Sequence, residues 1–238
     1  SHIIYVCSDI HGRYERWRAL LQAIDLLPDD TIYVLGDVID RGPDGCKILL
    51  DMMGRPNVLP ILGNHEFTAA VCLPWLMEEV TDRSLADLDG TRLAALQDWI
   101  RNGGGLTLRG LQKLSRAERE DILDYLREME LYAEAEASGR SFVLTHAGLD
   151  HFSPDKPLED YALEDFLFYR PKPDEAFWPD RYLVYGHTPT RLLRAQMGQP
   201  LSDDILRCGR QIAIDCGCGF DGKLGCLCLD TSETFYVE

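Results

Sequence analysis

Gly36-Asp37-Val38-Ile39-Asp40-Arg41-Gly42 follows an apolar run, Thr31-Ile32-Tyr33-Val34-Leu35. The β-branched and aromatic content of that run reads as a buried strand. Gly36 ends it, and Asp37, Asp40 and Arg41 follow at once. A loop built only to turn the chain gains nothing from two carboxylates and a guanidinium at the end of a buried strand. A loop that holds a metal and a phosphate gains hard oxygen ligands for a divalent cation. It also gains a planar fork that matches phosphate oxygens.

Other strand ends repeat the arrangement. Ile3–Cys7 runs into Ser8-Asp9-Ile10-His11-Gly12, and Val58–Leu62 into Gly63-Asn64-His65-Glu66. Phe142–Leu144 runs into Thr145-His146-Ala147-Gly148, and Tyr182–Tyr185 into Gly186-His187-Thr188-Pro189. Ligands of open α/β sheets bind just outside the carboxyl ends of the strands. These strand ends would therefore deliver Asp, His and Asn to one rim. Helical spacing of Trp17, Leu20, Leu21 and Ile24 predicts a helix over 13–24. A second is predicted over 44–53, with Ile48, Leu49 and Met52 or Met53 inward, so the sheet opens with βαβ units.

Taken in order, these motifs resemble the calcineurin-like metallophosphoesterases. More narrowly, the chain looks like the phosphoprotein phosphatase (PPP) family in its compact bacterial and phage form. The same branch includes the symmetrical diadenosine tetraphosphate hydrolases. The resemblance is dense over 3–66, 142–149 and 183–190, and looser over Trp99–Thr107 and Ile214–Gly217. It implies an α/β fold: two mixed sheets packed as a sandwich, flanked by helices, with a helical insertion at the rim. It implies metal-dependent hydrolysis of phosphomonoesters, with phosphoserine or phosphothreonine of a protein or peptide as the first reading. Hydrolysis of diadenosine tetraphosphate or a related nucleotide is the alternative. A non-catalytic metal-binding scaffold is a reading from another class, but a scaffold should have lost ligands or the general acid. Here Asp9, His11, Asp37, Asn64, His65, His146 and His187 are all in place.

Asp9 and His11 are two residues apart, so on an extended stretch they point the same way. With Asp37 they would make one metal site, and Asn64, His146 and His187 a second. Asp37 is best placed to bridge, as the resemblance also implies. Such mixed ligation suits two divalent ions, manganese first, with iron or zinc also suitable. Two metals can acidify a shared water, so that hydroxide is the nucleophile. His65 is not needed as a ligand and is free to act as general acid. In the family pattern Asp40 orients it, and Arg41 neutralises the phosphate oxygens. The family's second arginine falls between the two late histidines; Arg170 fits that place best, and Arg181 is also available.

The net charge of −16, from 40 acidic and 24 basic residues, argues against a nucleic-acid polymer or an anionic membrane as partner. No apolar stretch approaches the ~20 residues that span a bilayer. The first strand starts at Ile3, so no leader is expected, and the chain is expected in the cytoplasm. Eight cysteines could indicate disulfides, but Cys7, Cys46 and Cys72 sit in apolar contexts that fit a reducing compartment. Cys216, Cys218, Cys226 and Cys228 could converge on zinc in a hairpin; the plainer reading packs them as small hydrophobes on one strand face. Cys7 to Arg13 also matches Cys-x5-Arg of cysteine phosphatases, but Asp9 inside that loop would repel a phosphate dianion.

Residues 1–238 read as a single domain without internal repeats. A helical insertion is expected over about 67–140, from apolar periodicity in 68–80, 93–100 and 122–129 and a capping box at Ser115–Glu118. Gly103–Gly105 reads as a flexible joint within it. Short strands are expected at 211–215, 224–229 and 234–237, with a turn at 219–222. His151 reads as a loop residue near the rim, Asp215 as structural, and Glu66 as a helix N-terminal charge or support for the site.

Overall fold

The structure, a computed structural model, describes residues 2–78 and 81–238. Residues 79–80, the end of the periodic stretch 68–80, lie outside the described residues. Strands β1 (Ile4–Cys7), β2 (Thr31–Val34) and β3 (Val58–Pro60) are parallel, linked by α1 (Tyr14–Ile24) and α2 (Gly45–Met53). Strand β4 (Tyr132–Ala137) pairs antiparallel with β5 (Arg140–Thr145), which lies parallel to β6 (Arg181–Tyr185). Short strands β7 (Leu206–Cys208) and β8 (Gln211–Ala213) complete that second sheet, in the order β4-β5-β6-β8-β7. The chain then returns to the first sheet as β9 (Leu224–Cys228) and β10 (Thr234–Val237), giving β10-β9-β1-β2-β3.

Period-two alternation explains how the layers meet. On β1, Ile4 and Val6 point into the core between the sheets, with Phe142, Leu144, Val184, Ile212 and Leu227. Tyr5 and Cys7 point the other way, onto Trp17, Leu20 and Ile24 of α1 and Ile48 and Leu49 of α2. The cysteines divide in the same manner. Cys216 joins the inter-sheet core, whereas Cys218, Cys226 and Cys228 pack on the helical side, so the four do not converge. All eight thiols are free.

The insertion comprises α3 (Asn64–Cys72), α4 (Asp82–Ala86), α5 (Gly90–Trp99), α6 (Gly105–Gln112) and α7 (Arg116–Glu128). Ser115 and Glu118 form the expected capping box on α7. Buried Arg119 donates to the carbonyls of Leu111, Leu114, Met77 and Glu78, which ties the α6–α7 turn to the segment after α3. The helices stop at Glu128, not near 140. Residues 132–137, Tyr-Ala-Glu-Ala-Glu-Ala, form β4 instead, with Ala135 and Ala137 buried and Glu134 and Glu136 outward. Alanine and glutamate favour helix intrinsically, but pairing with β5 and burial of the alternate alanines prevail. Helices α8 (Leu163–Leu167) and α9 (Thr190–Gln196) flank the second sheet. No described helix is long and apolar enough to cross a membrane.

Candidate functional site

The loops after β1, β2, β3, β5 and β6 meet at one edge. The first two are joined by backbone bonds: Asp9 N–H donates to Gly36 O, His11 N–H to Asp37 O and Gly12 N–H to Val38 O. Asp9, His11, Asp37, Asp40, Arg41 and His187 all have φ between 47° and 73°. Left-handed backbone costs an L-residue about 1 kcal/mol or more, and non-glycine residues hold it mainly where the surroundings over-determine the loop. Glu66 supplies that constraint. Its buried carboxylate accepts the N–H groups of Asp37 (2.6 Å), Val38 (2.9 Å), Ile39 (3.3 Å) and Gly63 (3.2 Å). It thus caps α3 and pins the loop after β2 together. Burial and the nearby Asp37 charge push its pKa up to about 7.

Asp37 is the centre of the cluster. Its Oδ2 lies 3.8 Å from His11 Nε2, 3.3 Å from His146 Nε2 and 3.9 Å from His65 Nε2. Asp9 Oδ1 stands 3.7 Å from His11 Nε2, and Asn64 Oδ1 2.9 Å from His146 Nε2. His187 brings a ring nitrogen within 4.8 Å of donors on Asp37 and His146, and a second such group joins His11, Asp37 and His65. The six residues expected as ligands are therefore brought together, with Asp37 common to both halves.

The donor set fits divalent cations. Asp9 Oδ1 is buried without a hydrogen-bond partner. His11 Nδ1 donates to Ile39 O at 2.9 Å and His146 Nδ1 to Leu35 O at 2.6 Å. Each bond fixes the ring so that Nε2 faces the carboxylates, as in metal-ligating histidines. Electrostatics agrees. Burial disfavours charge on His11 and His146, yet the adjacent carboxylates outweigh it and raise their pKa values to about 9 and about 10. Asp37 is also opposed by burial, but His146 and His65 hold it well below the carboxylate range. Burial and the His146 charge lower His187 to about 3. The cluster demands positive charge in a confined space, and its His and Asp groups can hold a metal.

His65 stands beside the cluster and is paired with a second carboxylate. Its Nδ1 meets Asp40 Oδ2 at 2.6 Å. Asp40 is fully buried, and three side chains share its oxygens: His65 and Trp99 Nε1 (2.9 Å) on Oδ2, Thr107 Oγ1 (2.7 Å) on Oδ1. The Thr107 hydroxyl also accepts the Asp40 N–H at 3.0 Å. Burial opposes the imidazolium, but Asp37 and Asp40 outweigh it and raise the His65 pKa. Sequence reasoning missed Trp99 and Thr107; the signal was the looser resemblance over 99–107. The glycines read there as a flexible joint are a contact surface: Gly103 O accepts the Arg41 N–H at 2.9 Å, and Gly104 is buried.

Asp37, Asn64, His65 and His187 line a cavity of about 240 Å³, together with Arg41 and Arg170. Arg170 donates to His187 O (3.3 Å) and Thr188 Oγ1 (3.2 Å). Arg181 stacks on Trp178 and does not line the cavity. Nor does His151, an exposed residue paired with Asp165. Asp215 lies buried behind Asp9, takes the Gly217 N–H, and is raised well above the carboxylate range by burial and Asp9. Cys7 is fully buried, and burial pushes its thiol well up, so the Cys-x5-Arg match presents no available thiolate.

Strand ends that gather carboxylate, amide and imidazole around one shared aspartate, beside arginines and a carboxylate-held histidine, are the mark of metallophosphoesterases, a class of hydrolases. The chain belongs to the calcineurin-like phosphoesterase family, whose sequence model matches residues 2–206. It is 30% identical over 193 residues to the symmetrical bis(5'-nucleosyl)-tetraphosphatase of Acidovorax sp. strain JS42, covering 78% of this chain and 57% of that protein. The match spans 57% of that protein and as little as 36% of other symmetrical tetraphosphatases, so this chain covers about half or less of the length of most such relatives. Among solved structures, a candidate diadenosine tetraphosphatase matches with a TM-score of 0.65 at 18% identity, over 99% of this chain and 92% of that one. A serine/threonine phosphatase of Saccharomyces cerevisiae, similar to human PP5, matches with a TM-score of 0.58 at 16% identity, over 99% and 80%. At such identities the structural matches speak to the fold alone.

Proposed function

We propose that the protein hydrolyses a dinucleoside polyphosphate, cutting the central anhydride of diadenosine tetraphosphate to give two molecules of ADP. The observation that carries this reading is the 30% identity over 193 residues to a symmetrical tetraphosphatase. Relatives of that description support the nucleotide alternative over the phosphoprotein reading that came first from the motifs. The two share one chemistry and differ in what surrounds the phosphate.

Asp9, His11 and Asp37 would hold one divalent cation, and Asp37, Asn64, His146 and His187 a second. When bound, such cations supply positive charge to phosphate oxygens and lower the pKa of water. Manganese is the first choice for this ligand set, with iron or zinc also suited. Arg41 and Arg170 enter the same cavity. Their guanidinium forks would bind non-bridging oxygens and stabilise the charge that shifts in the transition state. His65 would donate its Nε2 proton to the departing oxygen, while Asp40 holds Nδ1 and keeps the ring turned toward the cavity. Water's oxygen joins one phosphorus as that phosphorus's bond to the bridging oxygen breaks. The bridging oxygen leaves with the other phosphorus and takes the His65 proton. The proton that water loses passes to solvent, from which His65 is reprotonated.

Initial rates of the manganese-loaded protein on diadenosine tetraphosphate and on a phosphothreonine peptide test the substrate class. The nucleotide should be preferred in kcat/KM by about a hundredfold, ~2.7 kcal/mol of transition-state preference, with ADP as the sole product. The opposite preference would restore the phosphoprotein reading. Activity on neither, with metal bound, would point to a scaffold.

A further inference from the structure

We infer that Phe220 is a positioning residue for Arg41, stacking on its guanidinium so that the fork faces the cavity with all its donors free. The Arg41 Cζ lies 4.1 Å from the Phe220 ring centroid. Both residues line the cavity, and Phe220 is 57% exposed. Among the described residues no carboxylate pairs with the Arg41 guanidinium, in a chain of 40 acidic residues. A carboxylate partner would occupy N–H donors and neutralise the charge. An aromatic face holds the cation through its quadrupole and leaves the in-plane donors open.

The rest of Arg41 is held too. Its N–H is bound by Gly103 O, and a Cβ on Gly103 would come within 2.7 Å of Arg41 Cγ. On the other side, a Cβ on Gly219 would lie 3.3 Å from Arg41 Cδ and 2.7 Å from His11 Cδ2. The glycines let the stem pass between the insertion and the turn before β9, and Phe220 then covers the guanidinium. That turn is itself fixed: Phe220 N–H and Gly222 N–H both donate to Gly217 O at 2.8 Å, and the Cys218 thiol donates to Ile10 O at 3.2 Å. Two segments outside the strand-end motifs therefore aim one side chain.

The inference rests on the reading of Arg41 as a phosphate ligand, and the test separates the two. Kinetics of Phe220→Ala, Phe220→Leu, Phe220→Trp, Arg41→Ala and the double variant Arg41→Ala/Phe220→Ala would be measured on p-nitrophenyl phosphate and on diadenosine tetraphosphate. Metal content and thermal melting serve as controls. Phe220→Ala and Phe220→Leu should each lower kcat/KM about tenfold on both substrates (~1.4 kcal/mol), and Phe220→Trp should restore it. In the Arg41→Ala background, loss of Phe220 should add nothing, since coupled residues are non-additive. Full additivity, or wild-type rates in both Phe220→Ala and Phe220→Leu, would overturn the inference. So would a loss confined to the dinucleotide, which would mean that the ring stacks on a base. A silent Arg41→Ala would instead remove the reading of Arg41 on which the inference stands.

Discussion

The indole N–H of Trp99 lies 2.9 Å from Asp40 Oδ2, across 59 residues of sequence. The same oxygen meets His65 at 2.6 Å, so the insertion holds the His65–Asp40 pair directly. Trp99→Phe keeps most of the packing and removes the donor. A hydrogen bond to a charged group contributes about 1.5–3 kcal/mol, so kcat should fall about tenfold or more, with metal content unchanged. A loss of metal would show that the insertion acts on the metal cluster and not on His65.

His65→Asn should remove general-acid assistance, which is worth about 10²–10⁴-fold. The loss should be large for a substrate with a poor leaving group and small for p-nitrophenyl phosphate. Elemental analysis should find metal near the wild-type level. Loss of metal with activity would mean that acid and ligand are not separate roles.

The pH profile should report the same pair. His65 must be protonated to donate. Burial opposes the imidazolium, but Asp37 and Asp40 outweigh it and raise the pKa. With metal saturating, the rate on a poor leaving group should therefore fall as pH rises through the His65 pKa. Asp40→Asn removes one of those carboxylates. The alkaline limb should then move to lower pH. An unmoved limb would assign that titration to another group.

Asp37→Asn should weaken both metals together, because Asp37 Oδ2 lies within 3.8 Å of His11 Nε2 and 3.3 Å of His146 Nε2. A metal titration should show both affinities falling. Loss of one alone would argue against a shared ligand.

Metal uptake should release protons. His11 and His146 have pKa values of about 9 and about 10, so at pH 7 each ring carries a proton that a cation must displace. Apparent affinity should rise with pH through the neutral range and level off as those rings deprotonate. Calorimetry in buffers of different protonation enthalpy should detect release of one to two protons, about as many as the two rings hold. No release would contradict this account.

The strands and the site residues at their ends were legible because the signal is local. A buried run of β-branched residues, a glycine and a carboxylate or imidazole lie within ten residues of one another at each end. The apolar run also placed Cys7 in a strand, and helical spacing placed Trp17 on the inner face of α1. The sheet order was not legible, because β9 reaches β1 across more than two hundred residues and its register, Cys7 opposite Cys226, follows from packing. The expected end of the insertion, about 140, ran past Glu128 because no local signal marks Tyr132–Ala137 as a strand until β5 pairs with it. By itself, the sequence determined which groups stand at the rim, since residue type and strand-end position are properties of short segments. Only the tertiary structure decided which groups act together: Asp37 between His11 and His146, Trp99 and Thr107 on Asp40, Phe220 over Arg41. Those contacts join segments far apart in the chain, and their distances follow from how the two sheets and the insertion pack.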